Sequence, residues 1–359
     1  MAKKLAFDRV LFTTVAILIG FGLVMVYSAS AALARPEGLN QFLVRQAVAV
    51  VVGGLAMLAV MHLDYRWLRR PAVIYTLLAG AGFLLVVVLF APTLNNVRRW
   101  LFIGGVSLQP SELAKLALIP FLAYQIEKKQ DRINTGALLV PCAAVAGVMA
   151  LLVMREPDMG TAVLLASTMV LMLFIAGLSW RWIAAGGLLT VPLAWLLVFS
   201  APYRRERFFA FMAPEKDPLG AGFQALQSLI AVGSGGFAGL GPGQSMQKLY
   251  FLPYPHTDFV FAIVAEELGM LGAIAVVGLF AVLLWRGVRA GLNAPDVFGR
   301  YLAFGFTGIL VLQALLNISV AIALCPTKGI PLPFVSYGGC SLVVSMAASG
   351  VLLNVSQHG

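Results

Sequence analysis

Long apolar stretches of about twenty residues recur along nearly the whole chain, and this repetition constrains the fold more than any motif. An α-helix rises about 1.5 Å per residue, so roughly 20 apolar residues span the ~30 Å hydrocarbon core of a bilayer. Ten segments meet this description, roughly residues 10–32, 46–63, 72–91, 110–126, 136–154, 161–178, 182–200, 259–285, 301–324 and 341–355. Hydrophobic residues make up 60% of the chain and charged residues only 11%, against about 25% charged in a typical soluble domain. No water-soluble core of this length needs so much apolar surface. The expected fold class is therefore an all-α polytopic membrane protein, a single unit over residues 1–359 with ten transmembrane helices. An even number of spans puts both termini on one side.

Basic loops orient such a protein, because Lys and Arg stay in the cytoplasm. With the N-terminus inside, thirteen Lys and Arg fall in inner segments, among them Arg66, Arg69, Arg70 and Lys128, and six fall in short outer loops. The long segment 201–258 lies outside and adds five more. The net charge of +10 is thus a sum over loops. With no basic aromatic platform, no zinc-ligand spacing and no large soluble domain, nothing points to nucleic acid. Lys3 and Lys4 before the first apolar run, and "SASAALARP" after it, imitate a secretory leader. Nine further segments favour a retained signal-anchor helix. Cys142 sits in an apolar run. Cys325 and Cys340 bracket one outer loop and can pair only if that loop meets an oxidising compartment.

Carboxylates and cations then stand out, because they are costly at membrane depth. Glu112 and Lys115 in "PSELAKLALI" are three residues apart on one helix face. They read either as a mutually neutralised pair or as the wall of a polar cavity. "REPDMGT" puts Arg155, Glu156 and Asp158 at the outer end of the fifth span, as a polar cap or part of a site. "LPYPHTDFVFAIVAEELG" opens an apolar span on His256, Thr257 and Asp258 and keeps Glu266 and Glu267. Adjacent helical residues point about 100° apart, so those two glutamates need separate partners. In segment 201–258, Phe223, Leu226, Leu229 and Ile230 share one helical face and suggest a short helix lying in the interface. The glycine run "GSGGFAGLGPG" follows no strand. It reads as a re-entrant loop whose backbone N–H groups can face an anion. "CPTKGIPLPFVSYGG", with three prolines and three glycines, reads as a re-entrant hairpin.

These blocks carry a resemblance. "VMVYSASA", "RRWLFIGGVSLQPSELAKLA", "REPDMGTA", "DPLGAGFQALQSLIAVGSGG", "GQSMQKLYFLPYPHTDFVFAIVAEELG" and "PTKGIPLPFVSYGGCSL" lie in order along nearly the whole chain. Together they resemble the SEDS family (shape, elongation, division and sporulation), the group of FtsW, RodA and SpoVE. "YSASA", "GQSMQKLYFLP" and the last block look closer to the FtsW and SpoVE branch. Tyr254 stands where related sequences often have Glu, and Cys340 where Ser is common.

The resemblance implies a peptidoglycan glycosyltransferase on a ten-span, GT-C-like bundle. It would polymerise lipid II at the outer face of the bacterial cytoplasmic membrane, for division or elongation, beside a class B penicillin-binding protein and other divisome or elongasome membrane proteins. It implies a divalent cation, magnesium or manganese, with no clear ligand set here, and no organic cofactor. Residue chemistry agrees: the attacking sugar hydroxyl needs a base at the water–membrane boundary, and a leaving diphosphate needs cations. Asp258 is the expected base, with an N-cap as its bland alternative. Arg99, Glu112, Lys115, Glu156, Lys248, His256, Thr257, Glu266, Glu267, Lys328 and Ser336 are the expected substrate-binding groups, with Glu266 or Glu267 pairing with a base such as Lys115. A lipid II flippase, a non-catalytic scaffold for the penicillin-binding protein and a solute transporter are the rival readings. Gly269 and Gly308 are the expected points of close approach for a partner helix.

Overall fold

A computed structural model describes residues 7–30, 36–92, 97–103, 106–199, 202–220, 222–249, 251–253, 255–327 and 329–359. Tyr254 and Lys328 lie outside the described residues. Among the described residues there are twelve α-helices: α1 (Arg9–Ser30), α2 (Pro36–His62), α3 (Pro71–Val88), α4 (Pro110–Lys128), α5 (Gly136–Arg155), α6 (Met159–Ile175), α7 (Trp180–Phe199), α8 (Pro202–Met212), α9 (Phe223–Ser234), α10 (Val260–Asn293), α11 (Val297–Ala321) and α12 (Gly339–Ser356). Ten of them fall on the ten apolar segments. Among the described residues, seven (α1, α2, α3, α5, α10, α11 and α12) are long and apolar enough to cross a membrane. Helix α6 is apolar but shorter. Helix α4 carries Glu112, Lys115, Glu127 and Lys128.

The helices start where local chemistry allows. Pro71 and Pro110 open α3 and α4, where a missing N–H costs nothing. Asp158 accepts from Thr161 N at 3.1 Å at the start of α6, and Asp296 accepts from Gly299 N at 2.7 Å at the start of α11. Helix α11 is central, packed by α10, α4, α6 and α12, while α2 lies along α12 and α3 along α4.

Four features depart from the sequence reading. First, the fold is not purely helical: β1 (Leu101–Ile103) and β2 (Val106–Leu108) pair antiparallel, Phe102 opposite Ser107. Second, the 201–258 connection holds α8 as well as the expected α9. Helix α9 buries the small residues Ala225, Ser228 and Ala231, whereas Leu229 and Ile230 face outward. Its small-residue face docks on protein, and of the apolar face predicted from the sequence Phe223 and Leu226 are half-buried while Leu229 and Ile230 stay exposed.

Third, α10 is broken at Gly269, whose φ is 65° and ψ −162°. The glycine run docks into this break. Leu240 N and Gly241 N donate to the carbonyls of Glu266 and Glu267 at 3.0 Å each. Met270 N and Leu271 N donate to the carbonyls of Gly236 and Phe237 at 3.0 and 3.3 Å. The loop thus satisfies backbone groups that the break exposes, and its Leu240 and Gly241 N–H groups are committed to the helix, not to an anion. Fourth, Gly269 and Gly308 are already occupied within the fold. A Cβ on Gly269 would lie 2.3 Å from Gly239 N, and one on Gly308 2.6 Å from a methyl of Leu171. Neither is an open face for a partner helix.

The described residues of 325–338 are non-helical, and Ile330, Leu332, Phe334 and Val335 are buried. A Cβ on Gly22 of α1 would fall 2.3 Å from the Phe334 carbonyl. Gly22 is eight residues from Ser30 (30 minus 22), or about 12 Å of helix, so the hairpin enters the bundle as expected. Cys142, Cys325 and Cys340 are free thiols.

Candidate active site

Asp258 sits two residues before α10 and is half-buried. Its backbone carbonyl accepts from Asn317 Nδ2 at 2.9 Å, and the same amide donates to the Ile330 carbonyl at 2.8 Å. One turn earlier on α11, Gln313 Nε2 donates to the Pro331 carbonyl at 2.9 Å. Helix α11 therefore holds the start of α10 and the re-entrant hairpin in one fixed relation. The Asp258 carboxylate forms neither a hydrogen bond nor an ion pair among the described residues, so it is available for chemistry.

Cations surround it. From the point a Cβ on Gly329 would occupy, Asp258 Oδ2 is 3.5 Å and an Arg99 guanidinium nitrogen is 3.8 Å away. The strand β1 leads back to Arg99, whose guanidinium is held by the loop after α5: Nε donates to the Glu156 carbonyl at 3.0 Å, and a second nitrogen donates to the Pro157 carbonyl. Helix α8 supplies Arg207, which donates to the Thr327 carbonyl at 3.5 Å. Burial pushes the Asp258 carboxyl up to about 7; Arg99 pulls against the rise, Asp158 adds to it and Arg207 opposes it. Glu156 is fully buried, and neither oxygen has a hydrogen-bond partner among the described residues. Burial, then the charge of Asp158, raise it to about 8 against Arg99. It holds its proton at neutral pH.

The other expected site residues divide into three groups. Lys115 Nζ reaches Glu112 at 2.7 Å and Gln313 Oε1 at 2.7 Å. Both charges are buried, and the space beside Lys115 is about 10 Å³, about one water. The pair is neutralised, and through Gln313 it braces the hairpin. Lys248, Glu266 and Glu267 form a second buried group at the helix break. Lys248 Nζ meets Glu267 at 2.8 Å, Ser28 Oγ at 3.1 Å and the Gly243 carbonyl at 2.7 Å. Glu266 accepts from Ser245 Oγ at 2.5 Å and Met246 N at 2.9 Å. Glu267 thus pairs with a base as expected, but with Lys248 and not Lys115: loop 243–248 folds back and brings its own lysine, and Lys115 is held by Glu112 and Gln313. Each glutamate does have its own partners.

His256 and Ser336 form the third group. The His256 ring lies 5.1 Å from Phe42 and 5.6 Å from Tyr337, and burial pulls it down to about 4, so it is neutral. Ser336 Oγ accepts from Leu332 N at 2.9 Å and shapes the hairpin. Thr257 is half-buried beside Asp258. The residues that site reasoning passed over are Arg207, Gln313 and Asn317. The last two did leave a signal: polar residues four apart in the apolar run "LVLQALLNISV". Among the described residues, no three His, Cys, Asp or Glu side chains form a metal-ligating group, so the residues present do not supply the implied cation with a protein cage.

Comparison with known proteins agrees with this architecture. A family model described as cell cycle protein, covering FtsW, RodA and SpoVE, matches residues 8–359. Over 356 residues the chain is 43% identical to the probable peptidoglycan glycosyltransferase FtsW of Trichlorobacter lovleyi, covering 98% of this chain and 93% of that one. It is 42% identical over 363 residues to stage V sporulation protein E of Bacillus subtilis, covering 99% and 98%. A solved chain from a peptidoglycan synthase complex that coordinates polymerization and crosslinking matches with a TM-score of 0.82 at 33% identity, over 98% of both chains. The rod shape determining protein RodA of Thermus thermophilus matches at 0.73 and 30% identity, over 98% and 97%. The chain is thus a multi-pass membrane protein that belongs to the FtsW/RodA/SpoVE family, nearer in sequence to FtsW and SpoVE than to that RodA.

Proposed function

We propose that this chain is a peptidoglycan glycosyltransferase that polymerises lipid II, with Asp258 as its general base. The observation that carries the role of Asp258 is a carboxylate with no hydrogen bond or ion pair among the described residues, raised to about 7, facing Arg99 beside Gly329 at the entrance to a broken membrane helix. A base with a pKa near the working pH combines the right protonation state with driving force for proton transfer. As the acceptor hydroxyl oxygen bonds to the donor sugar's anomeric carbon, its proton passes to Asp258. The bond from that carbon to the lipid diphosphate breaks. Arg99 and Arg207, held by backbone carbonyls, offer charge to the departing phosphates, and Lys328, next in sequence to Thr327, is proposed to add to them. Glu112 and Lys115 act through Gln313 on the hairpin. Lys248, Glu266 and Glu267 act on the loop that ends at Asp258. His256, Thr257, Glu156 and Ser336 set the shape and polarity around the base.

Ten spans with both termini in the cytoplasm fit the loop charges and put Asp258 outside. A class B penicillin-binding protein is the proposed partner, supported by the likeness to a chain of a synthase complex. The divalent cation finds no three-ligand group among the described residues, and the steps above use none. Purified protein given lipid II tests the reading. Polymer from the parent chain and none from Asp258→Asn supports it. Lipid scrambling without polymer favours a flippase, and partner binding without either favours a scaffold. Near-normal polymer from Asp258→Asn overturns the role of Asp258 as base.

A further inference from the structure

A second built site lies at the opposite end of the bundle. Helix α10 starts two residues after Asp258 and, beyond its break at Gly269, ends at Asn293. There a short 3-10 turn, Tyr65–Arg69, joins α2 to α3. On one side of it opens a groove of about 550 Å³ whose lining includes Arg66, Arg69, Arg70 and Lys128, with Glu127 as its acid. Arg66 lies 3.6 Å from Asp296, and Arg69 lies 2.9 Å from Glu127. Lys128 Nζ lies 5.7 Å over the Tyr124 ring. Arg70 is exposed and forms no ion pair among the described residues. Positive charge is therefore in excess.

On the other side of the turn is an apolar crevice of about 240 Å³, walled by Trp67, Leu68, Leu77 and Val351, with Asp64 and Asn354 at its polar edge. The two spaces are successive stretches of one surface. Leu116 and Pro120 of α4 line the crevice, while Tyr124 and Lys128 line the groove. Each of these four residues is the i+4 neighbour of the one before, and together they wind from crevice to groove over about 18 Å of helix. Trp67, half exposed at 50%, stands at the junction, as aromatic anchors do at the membrane–water interface. Topology alone explains why bases collect on this face. It does not explain why four of them line one groove that continues into an apolar crevice.

We propose that groove and crevice together hold one anionic phospholipid of the leaflet opposite to Asp258. Its phosphate sits among Arg66, Arg69, Arg70 and Lys128, and one acyl chain enters the crevice past Trp67. Charge complementarity selects an anionic headgroup, and the crevice selects a molecule with a tail over free phosphate.

The test is quenching of Trp67 fluorescence by lipid brominated on its acyl chains, with full-length protein in neutral detergent. The Trp67 signal is the difference between the parent chain and Trp67→Phe. Brominated phosphatidylglycerol should quench it at roughly tenfold lower concentration than brominated phosphatidylcholine. Bases near the surface attract charged headgroups, so Arg70→Gln with Lys128→Gln, which removes two of the four, should erase most of that preference. Both side chains are exposed, so this variant keeps its fold. Equal quenching by the two lipids overturns the proposal, as does a preference that survives in the double variant. Displacement by undecaprenyl phosphate at lower concentration than by phosphatidylglycerol also overturns it, in favour of a prenyl phosphate.

Discussion

A single proton on Asp258 separates an active from an inactive enzyme in this reading, which makes pH the first test at the residue scale. The base must be deprotonated. With its pKa at about 7, polymerisation should rise as pH increases through 7 and level off above about 8. Below about 6 it should fall about tenfold per unit. A rate flat from pH 5 to 8 with chemistry limiting would contradict this. Asn317 acts one step back, through the Asp258 carbonyl and the hairpin at Ile330. Asn317→Ala leaves two carbonyls unpaired and lets the base drift. We expect kcat to fall by roughly 10- to 100-fold with KM little changed, measured on purified protein. An acid at the mouth of an apolar helix is legible in sequence because burial of charge is rare. Arg207 was not, because it is one of five bases in a long loop, and only the packing of α8 singles it out.

At the scale of elements, the glycine loop and the two halves of α10 form one unit. Gly269 has a positive φ with an extended ψ, a region only glycine occupies easily, and a Cβ there would meet Gly239 N. Gly269→Ala should cost at least about 3 kcal/mol. Gly278→Ala in the same helix has open space around the new methyl and should be tolerated. Comparable melting of the two variants in detergent would show that the break is not required. The buried pair beneath the loop gives a second test. Lys248→Met removes the cation that Glu267 faces and leaves it only the Ser28 hydroxyl, at a cost of about 3–5 kcal/mol. Adding Glu267→Gln should recover most of the loss, and no recovery would mean that Lys248 acts by packing. None of this break was legible in "AEELGMLGAI", since a glycine inside an apolar run carries no mark of its φ. The strand pair Leu101–Ile103 and Val106–Leu108 was not read from the sequence either, because three-residue strands are too short to show a period.

For the whole molecule, the places of ten of the twelve helices found among the described residues follow from hydropathy. Which polar groups meet does not, because Lys115 and Lys248 differ only in what the bundle folds against them. The pairing of loop 235–241 with the broken helix has a consequence for exchange with solvent. The amide protons of Leu240, Gly241, Met270 and Leu271 are held crosswise between the same two segments, so none can be released while the other three stay closed. All four should show one common protection factor in deuterium exchange, opening as a single cooperative event. Lys248→Met should lower the four together. Independent rates at Leu240 and Leu271 would show instead that the segments breathe separately.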